Sequence, residues 1–348
     1  MAVDMQSRRQ ESSNTRYRTG DLVRWSRRSA RDLWMGGVLI AIIVLFGLRS
    51  HAFLSKASWL NTSNTGLEIL ILAIGETFVI CTAGIDLSVG ANLGFSAMVG
   101  AWAMSHFYSS SSGSAVPIVV LGFLVALVVG TAIGALNGAL IAWADVPPFV
   151  VTLGTLGIAT GLAELVKNGQ EISNIPSSIA KFGNTNIFGW IPVPVAIGVV
   201  VTVLAAISLR KTRFGSYTLS IGDSREAVVR AGINDKMHLF KVYVLAGFLA
   251  GVAGIMVMSR LGAASPTSGA TDNLNAIAAV VIGGTSLFGG KGTVLGTVFG
   301  TGIIAVLLTG LIVINVPPFW QEVAVGVVLI AAVYVDQLRS KVKVRPSR

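Results

Sequence analysis

Apolar residues are grouped along the chain into ten runs separated by short polar segments. Runs of this length are typical of helices that cross a bilayer, which need about 20 residues each. Glycine and polar residues interrupt the third, fifth and eighth runs, which predicts broken or re-entrant helices there. We therefore predict about ten transmembrane helices. The runs cover residues 33–48, 66–83, 88–104, 117–143, 149–166, 192–209, 242–258, 274–288, 293–314 and 321–337.

The composition favours an all-α, polytopic integral membrane protein. Only 12% of the 348 residues are charged and 53% are apolar, whereas a soluble domain carries about 25% charged residues. Ten spans leave no room for a large soluble domain. Residues 33–338 are therefore predicted to form a single transmembrane domain between two basic tails, residues 1–32 and 339–348.

The positions of the basic residues predict the orientation. Lys and Arg concentrate in cytoplasmic segments. With the N-terminus inside, 21 of the 26 basic residues fall on the inner side, seven of them in the hydrophilic loop 210–241. Both termini are therefore predicted to be cytoplasmic. Because these charges flank apolar runs and form no single basic face, membrane lipid is the predicted partner and nucleic acid is excluded.

Two sequence patterns concern the packing of the helices. The tetrapeptide Val-Pro-Pro-Phe at residues 146–149 recurs 170 residues later at 316–319, and Gly-Thr at 130–131 recurs at 300–301. A shift of five spans reverses direction across the membrane, so the recurrence indicates an inverted repeat, the alternative being chance similarity of loop ends.

Glycines at four-residue spacing predict close helix contacts. They are Gly130, Gly134 and Gly138; Gly247 and Gly251; and Gly292, Gly296 and Gly300.

The 210–241 loop contains a segment with helical character. Asp223 or Ser224 is placed to cap a short helix in which Glu226 and Arg230, four residues apart, share a face. Gly232 is the predicted end of this helix. The pattern is consistent with a docking element for a cytoplasmic partner, or with a solvated loop that only sets topology.

Five acidic residues lie in or near the predicted spans, where ionisable groups are costly and so are functional candidates. Asp86 is the strongest, because it lies at a predicted helix break beside Ser88. Capping of the following helix is favoured over direct contact with a substrate. The five are Glu68, Glu76, Asp86, Glu164 and Glu322.

Three segments carry a family resemblance. They are Gly-Ile-Asp-Leu-Ser-Val-Gly at residues 84–90, Phe-Val-Val-Thr-Leu-Gly at 149–154 and Ala-Ala-Val-Val-Ile-Gly-Gly-Thr-Ser-Leu at 278–287. In this order and spacing they resemble the permease subunits of ribose-type ABC sugar importers, with similarity from about residue 35 to 338. The resemblance implies a permease domain in the bacterial cell membrane that transports a monosaccharide or related polyol.

The resemblance also implies partners. They are a cytoplasmic ATP-binding cassette subunit that binds the ATP, an extracytoplasmic sugar-binding protein, and a second permease copy or homologue. The chain itself is expected to bind no cofactor or metal and to be no enzyme. Its ATPase-coupling residues are expected to be Gly222, Asp223, Glu226, Ala227, Arg230 and Gly232.

The sequence departs from the family pattern in two places. Asp223 stands where Asn is usual, and Val228 and Val229 stand where Ala and Arg are common. Neutral Asn273 and Asn275 stand where acidic residues are frequent.

Sugars need hydroxyl partners, so polar residues in the spans are the candidates for the substrate pathway. A self-contained proton-coupled secondary transporter that uses Glu76, Asp86 or Glu164 is the rival function, and nucleosides or branched-chain amino acids are rival substrates. The candidates are Asp86, Ser88, Asn92, Asn137, Thr152, Thr155, Asn275, Thr285 and Ser286.

Overall fold

The computed structural model describes residues 33–108 and 115–343, and within them the chain forms thirteen α-helices and a small β-hairpin (Asn186–Ile187 with Ile191–Pro192). The predicted tail 1–32 lies outside the described residues, as do residues 344–348. The helices are α1 (Leu33–Arg49), α2 (Lys56–Cys81), α3 (Val89–Tyr108), α4 (Ala115–Ala142), α5 (Pro148–Val166), α6 (Ser177–Asn184), α7 (Val193–Lys211), α8 (Arg213–Asp223), α9 (Arg225–Arg230), α10 (Asp235–Leu261), α11 (Asp272–Ile282), α12 (Val294–Val313) and α13 (Pro318–Lys343).

Each of the ten predicted apolar runs coincides with a helix, but the predicted count of ten crossings is not confirmed. Among the described residues, six helices are long and apolar enough to span a membrane: α2, α4, α5, α7, α10 and α12. α1, α11 and the Pro318–Tyr334 part of α13 are shorter apolar helices. With 11 residues, α11 is only about 16 Å long. The chain is therefore a multi-pass helical membrane protein.

The predicted interruptions are correct only in part. The eighth run is interrupted as predicted, because α11 stops at Gly283 and Gly284 adopts a positive φ of 78°. The third and fifth runs, however, contain the continuous helices α3 and α5. The glycines in these two runs do not break the helices, because the backbone N–H and C=O groups keep their hydrogen bonds within the helix. The break expected in the third run falls before α3, at residues 82–88.

Helices α2 and α10 form the centre of the molecule. In the apolar part of each, 78% of the residues are buried, compared with 22–28% in α4, α5 and α7. Long apolar side chains such as Ile71, Ile74 and Phe78 of α2 are completely buried. The outer helices expose Leu, Val and Ile side chains, as expected for surfaces that face lipid.

The predicted glycine contacts are confirmed. Helix α4 packs on α10 through Gly130 and Gly134, which face Gly247 and Gly251. A methyl group on Gly130 would lie 2.6 Å from the Gly247 carbonyl oxygen, which is closer than real Cβ contacts allow. The two backbones therefore meet directly, as in other membrane helix pairs built on small residues. We call this contact the α4–α10 seam.

The recurring tetrapeptides follow helix ends of a similar kind, although the N–H of the first valine reaches six residues back and that of the second five. The residue before each, Asp145 and Asn315, has a left-handed backbone with φ of 51° and 58°. The following valines, Val146 and Val316, donate their N–H groups back to the preceding helix, to Leu140 O at 3.2 Å and Leu311 O at 2.9 Å. These are αL helix ends, which Asn and Asp tolerate. The segments that recur after 170 residues are therefore similar in backbone structure as well as in sequence.

The helix contacts repeat in the same way. α10 packs on α4 as α2 packs on α12, and α3 packs on α4 and α5 as α11 packs on α12 and α13. α10 also contacts α3, and α2 contacts α11. Exchanging α2–α5 with α10–α13 therefore maps each of these contacts onto another. This pattern is the one that an internal repeat produces.

Candidate functional site

Three predicted residues meet in the segment Gly84–Gly90, which we call the buried turn. Asp86 Oδ1 accepts hydrogen bonds from the Ser88 backbone N–H at 2.9 Å and from Ser88 Oγ at 2.6 Å. Asn137 Nδ2 of α4 donates to Ser88 Oγ at 2.9 Å. All three side chains are buried. The Asp86 carboxylate therefore satisfies the N–H and O–H groups of Ser88, the residue before α3, which lipid could not. Capping of the N–H groups of α3 itself by Asp86 stays a prediction.

Neighbouring helices hold the buried turn in place through its carbonyl oxygens. Thr152 Oγ1 of α5 donates to Ile85 O at 3.3 Å, and Asn273 Nδ2 of α11 donates to Leu87 O at 3.1 Å. The turn is therefore attached to α4, α5 and α11 at once. Any movement of these helices relative to one another changes the contacts of this turn.

Two further predicted pathway residues lie on α3 and α5, with their hydroxyl or amide groups bonded to the protein itself. Asn92 Nδ2 donates to Gly130 O at 3.1 Å, which links α3 to the α4–α10 seam. Thr155 Oγ1 donates to Val151 O of its own helix at 3.1 Å. Both side chains are buried. Contact between these residues and a substrate stays a prediction.

The remaining pathway candidates lie at the two ends of α11. Asn275 Nδ2 donates to Asp272 Oδ1 at 3.2 Å at the start of the helix. Thr285, after its end, is fully buried and its hydroxyl has no partner among the described residues. The hydroxyl of Ser286 accepts from the Phe288 N–H at 3.3 Å within a tight turn. Among the described residues, no side-chain hydrogen bond joins these three residues to the buried turn, so their place in one site with it stays a prediction.

The four acidic candidates other than Asp86 fall into three groups. Glu68 forms an ion pair with Arg260 of α10 at 2.7 Å, a partner that the sequence did not indicate. Glu76 is completely buried. Glu164 and Glu322 are exposed on α5 and α13.

The hydrophilic segment 210–241 is not a loop as predicted but is mostly helical, comprising the end of α7, all of α8 and α9, and the start of α10. The predicted short helix is confirmed as α9. Ser224 is the residue that caps it, accepting from the Ala227 N–H at 3.4 Å, and Arg230 pairs with Glu226 at 3.1 Å. We call Gly222–Gly232 the docking segment.

The docking segment touches the membrane helices at Gly222. A methyl group there would overlap the Cys81 carbonyl oxygen, at the end of α2, and would lie 2.5 Å from the Gly290 nitrogen. The Gly290 N–H donates to the same Cys81 oxygen at 3.0 Å. The end of α8, the end of α2 and the turn between α11 and α12 therefore meet at one point. A displacement of the docking segment acts on both of those elements directly.

A second contact joins the docking segment to the start of α10. Arg225 Nε lies 2.6 Å from Asp235 Oδ2, at the first residue of α10. Gly232 adopts a left-handed backbone with φ of 78°, which L-residues with side chains rarely adopt. Most of α9 is exposed; only Val228 is buried.

Comparison with known proteins gives a consistent family. The family model described as "Branched-chain amino acid transport system / permease component" matches residues 58–333. The D-allose transport system permease protein of Escherichia coli is 34% identical over 305 residues, 87% of this chain and 91% of its own length.

Two further relatives show the same extent of similarity. The ribose import permease protein of Haemophilus influenzae is 37% identical over 303 residues, 86% of this chain and 90% of its own length. The autoinducer 2 import system permease protein of Photorhabdus luminescens is 32% identical over 306 residues, 86% of this chain and 88% of its own length. No solved structure matches the chain.

Proposed function

The chain belongs to the family of branched-chain amino acid transport system permease components, and from that premise we propose that it is the transmembrane subunit of an ATP-binding cassette importer for a monosaccharide. The observation that carries the proposal is identity of 34–37% with permeases named for D-allose and ribose, over nearly the whole chain. The amino acids in the family's description, and the signal molecule autoinducer 2 named for another relative, are the alternative substrate classes.

The docking segment supports a mechanism in which the chain makes and breaks no covalent bond. A separate ATPase subunit binds ATP and presses on α9, whose exposed face offers Glu226, Ala227 and Arg230. The movement passes through Gly222 to the end of α2 and to the turn at Gly290. The helices around the buried turn then shift, and the pathway alternates between its outward and inward openings. An extracytoplasmic binding protein delivers the sugar.

One face of α5 supports association with a second copy. Gly154, Gly157 and Gly161 follow one another at three- and four-residue spacing, and nothing lies within 4 Å of a methyl group placed on any of them. The exposed Glu164 continues the same face. A charged side chain and an open glycine strip are unsuited to lipid but suited to a second α5 beside a polar pathway. We call these four residues the α5 face.

The decisive experiment is reconstitution in proteoliposomes with the partner ATPase and binding protein. Uptake of radiolabelled ribose or allose is expected only when ATP is present on the side of the ATPase. A proton gradient without the ATPase should give no uptake. Uptake driven by the gradient alone would instead support the proton-coupled secondary transporter. Titration of the partner binding protein with sugars, amino acids and autoinducer 2 identifies the substrate class.

Orientation is tested separately in intact cells. A cysteine placed at Ser224 should resist a membrane-impermeant thiol reagent added outside and should react after the cells are opened. Cys81 is buried and contributes little background. Labelling of Ser224→Cys from outside would place the docking segment on the wrong side for a cytoplasmic ATPase.

A further inference from the structure

The β-hairpin of residues 186–192, which we call the hairpin, presents apolar side chains that have no role in the mechanism above. Phe188 at its tip is 93% exposed, and Trp190 and Ile191 are 55% and 44% exposed. Large apolar side chains that lie together on a surface mark a contact with lipid or with another protein. The hairpin is therefore a candidate interaction surface.

The backbone at the tip is an unusual place for a phenylalanine. Phe188 has a left-handed φ of 52°, and Gly189 follows it with φ of 75°. Bulky residues rarely adopt this conformation, whereas Gly and Asn adopt it readily and are preferred in tight hairpin turns. The turn itself gains nothing from the aromatic ring. The ring of Phe188 therefore contributes through a contact outside the hairpin.

The length of α7 determines the depth of the hairpin in the membrane. α7 begins at Val193, directly after the hairpin, and its 19 residues extend about 28 Å. This length is close to the roughly 30 Å thickness of the hydrocarbon core. Arg210 and Lys211, in the last turn of α7, belong at one membrane surface. Val193 and the hairpin before it therefore lie at the opposite boundary between acyl chains and headgroups.

The exposed side of α7 faces lipid. Val199, Val200 and Val203, in the first three turns after the hairpin, are each more than half exposed. Apolar side chains at this depth in a membrane helix have acyl chains as their neighbours. The hairpin adjoins this helix along the chain, so the same bilayer is the apolar partner nearest to its exposed side chains.

Two residues at the start of α2 complete an arrangement that is typical of a membrane interface. Trp59 Nε1 donates to Trp190 O at 3.1 Å, and Lys56 Nζ lies 5.4 Å from the centre of the Trp190 ring. Tryptophan is enriched at the level of the headgroups, where its ring meets lipid and its N–H group is bonded. A lysine at this level extends its charge toward the lipid phosphates.

We propose that the hairpin anchors this end of α2 and α7 in the phospholipid bilayer. Phe188 inserts among the ends of the acyl chains nearest the headgroups, and Trp59 and Trp190 lie at the headgroups. Lys56 contacts a lipid phosphate. The bilayer is the partner because an apolar tip, two tryptophans and a cation at one depth match the chemistry of its interface. The proposal depends neither on the ATPase nor on the transported substrate.

Spin labels on the full chain in nanodiscs of phosphatidylcholine and phosphatidylglycerol test which phase surrounds the tip. A nitroxide on Phe188→Cys should collide more with oxygen, which concentrates in lipid, than with a water-soluble nickel chelate. The matched controls are Val199→Cys on the lipid-facing side of α7, which should favour oxygen, and Ser178→Cys on the exposed side of α6, which should favour the chelate. Cys81 is buried and contributes little background.

Two results would overturn the proposal. A label on Phe188→Cys that favours the chelate would place the tip in water, and protection of that label by the partner binding protein would assign the hairpin to the binding protein. A label that collides with neither reagent would show that protein, such as a second copy of the chain, covers the tip.

A second pair of variants tests whether the ring of Phe188 holds the hairpin at the membrane. Phe188→Asn removes the ring, and because Asn suits the left-handed backbone, the turn itself should stay folded. A label on Ile191→Cys should therefore shift from oxygen toward the nickel chelate when Phe188→Asn is added. An unchanged ratio of the two accessibilities would mean that Phe188 is no anchor.

Discussion

At the scale of single residues, glycine sets the distance between the helices that form the centre of the molecule. Gly134 of α4 faces the backbone of Gly247, and a methyl group there would lie 2.8 Å from the Gly247 Cα atom. No side-chain rotation relieves such a contact, because both partners are backbone. A larger residue at this position therefore forces the α4 and α10 backbones apart and destabilises the whole α4–α10 seam.

We expect Gly134→Ala to lower the free energy of unfolding by about 1–3 kcal/mol, as overpacking of a tight core does. The matched control is Gly37→Ala on α1, where a methyl group meets nothing within 4 Å. Chemical unfolding of the purified chain in detergent measures both. If the two substitutions changed the free energy of unfolding by similar amounts, close approach of α4 and α10 would not be needed for stability.

The ion pair between Glu68 and Arg260 joins α2 to α10, and only 9% and 27% of the two side chains are exposed. Removing one partner leaves the other charge poorly solvated. We expect Glu68→Leu or Arg260→Met alone to lower the free energy of unfolding by roughly 2 kcal/mol, less than a fully buried pair would lose because Arg260 is partly exposed.

The double variant Glu68→Leu with Arg260→Met should lose less than the sum of the single losses, because neither charge is left alone. A double-mutant cycle by unfolding in detergent gives this difference. Strictly additive losses would mean that the pair contributes no coupling.

At the scale of elements, α9 is short, and its position depends on how the chain leaves it. Gly232 has φ of 78° and open space around it, so a substitution there changes only the backbone preference. Ala disfavours this conformation by about 1–2 kcal/mol, whereas Asn adopts it more readily than other residues with side chains.

We therefore expect Gly232→Ala to reduce the amount of ATPase subunit that co-purifies with the chain and Gly232→Asn to retain most of it. Quantitative pull-down from membranes that contain both subunits measures the ratio. If both variants retained the ATPase equally, the exit from α9 would not position the docking segment.

The elements that could be predicted well are those whose sequence signals lie within a few residues of one another. Ser224 caps the N–H group three residues after it, and Glu226 pairs with the arginine four residues after it. Helix α9 could therefore be predicted from residues that are close together in the sequence. The start of α2 could not, because its first turns are polar. The apolar run begins at residue 66, whereas the helix begins at Lys56 after the Ser55 cap. Hydropathy therefore reports the length of the apolar part of a helix and not its full length.

Site contacts between distant segments were harder to predict. Asp86, Ser88 and Asn137 were each selected as polar residues in apolar surroundings, but nothing in the sequence pairs residue 137 with residue 88. Nothing in the sequence pairs Arg260 with Glu68 either, because the two residues are 192 positions apart.

At the scale of the whole molecule, the α5 face is the surface that we propose to meet a second copy. A cysteine introduced at Gly157 should form a disulfide-linked dimer in native membranes under mild oxidation, because the same residue of the second copy lies opposite it. The control is Val199→Cys on α7, which is 57% exposed on another surface. Gel electrophoresis without reductant distinguishes the two.

Cross-linking of the Val199→Cys variant but not of the Gly157→Cys variant would move the interface to α7. Dimerisation through α5 also places Glu164 of each copy near the axis of the pair. The two inverted halves of each chain that the 170-residue recurrence indicates would then surround one shared pathway.

The α4–α10 seam has a consequence for random mutagenesis of this protein. Because its glycines face backbone atoms, substitutions along this line are expected to reduce the quantity of protein in the membrane and not to alter which sugar is taken up. A library screened for new substrates should therefore recover almost no changes at Gly130, Gly134 or Gly247, however permissive the selection. Variants with altered selectivity should come from positions where a side chain already occupies the space.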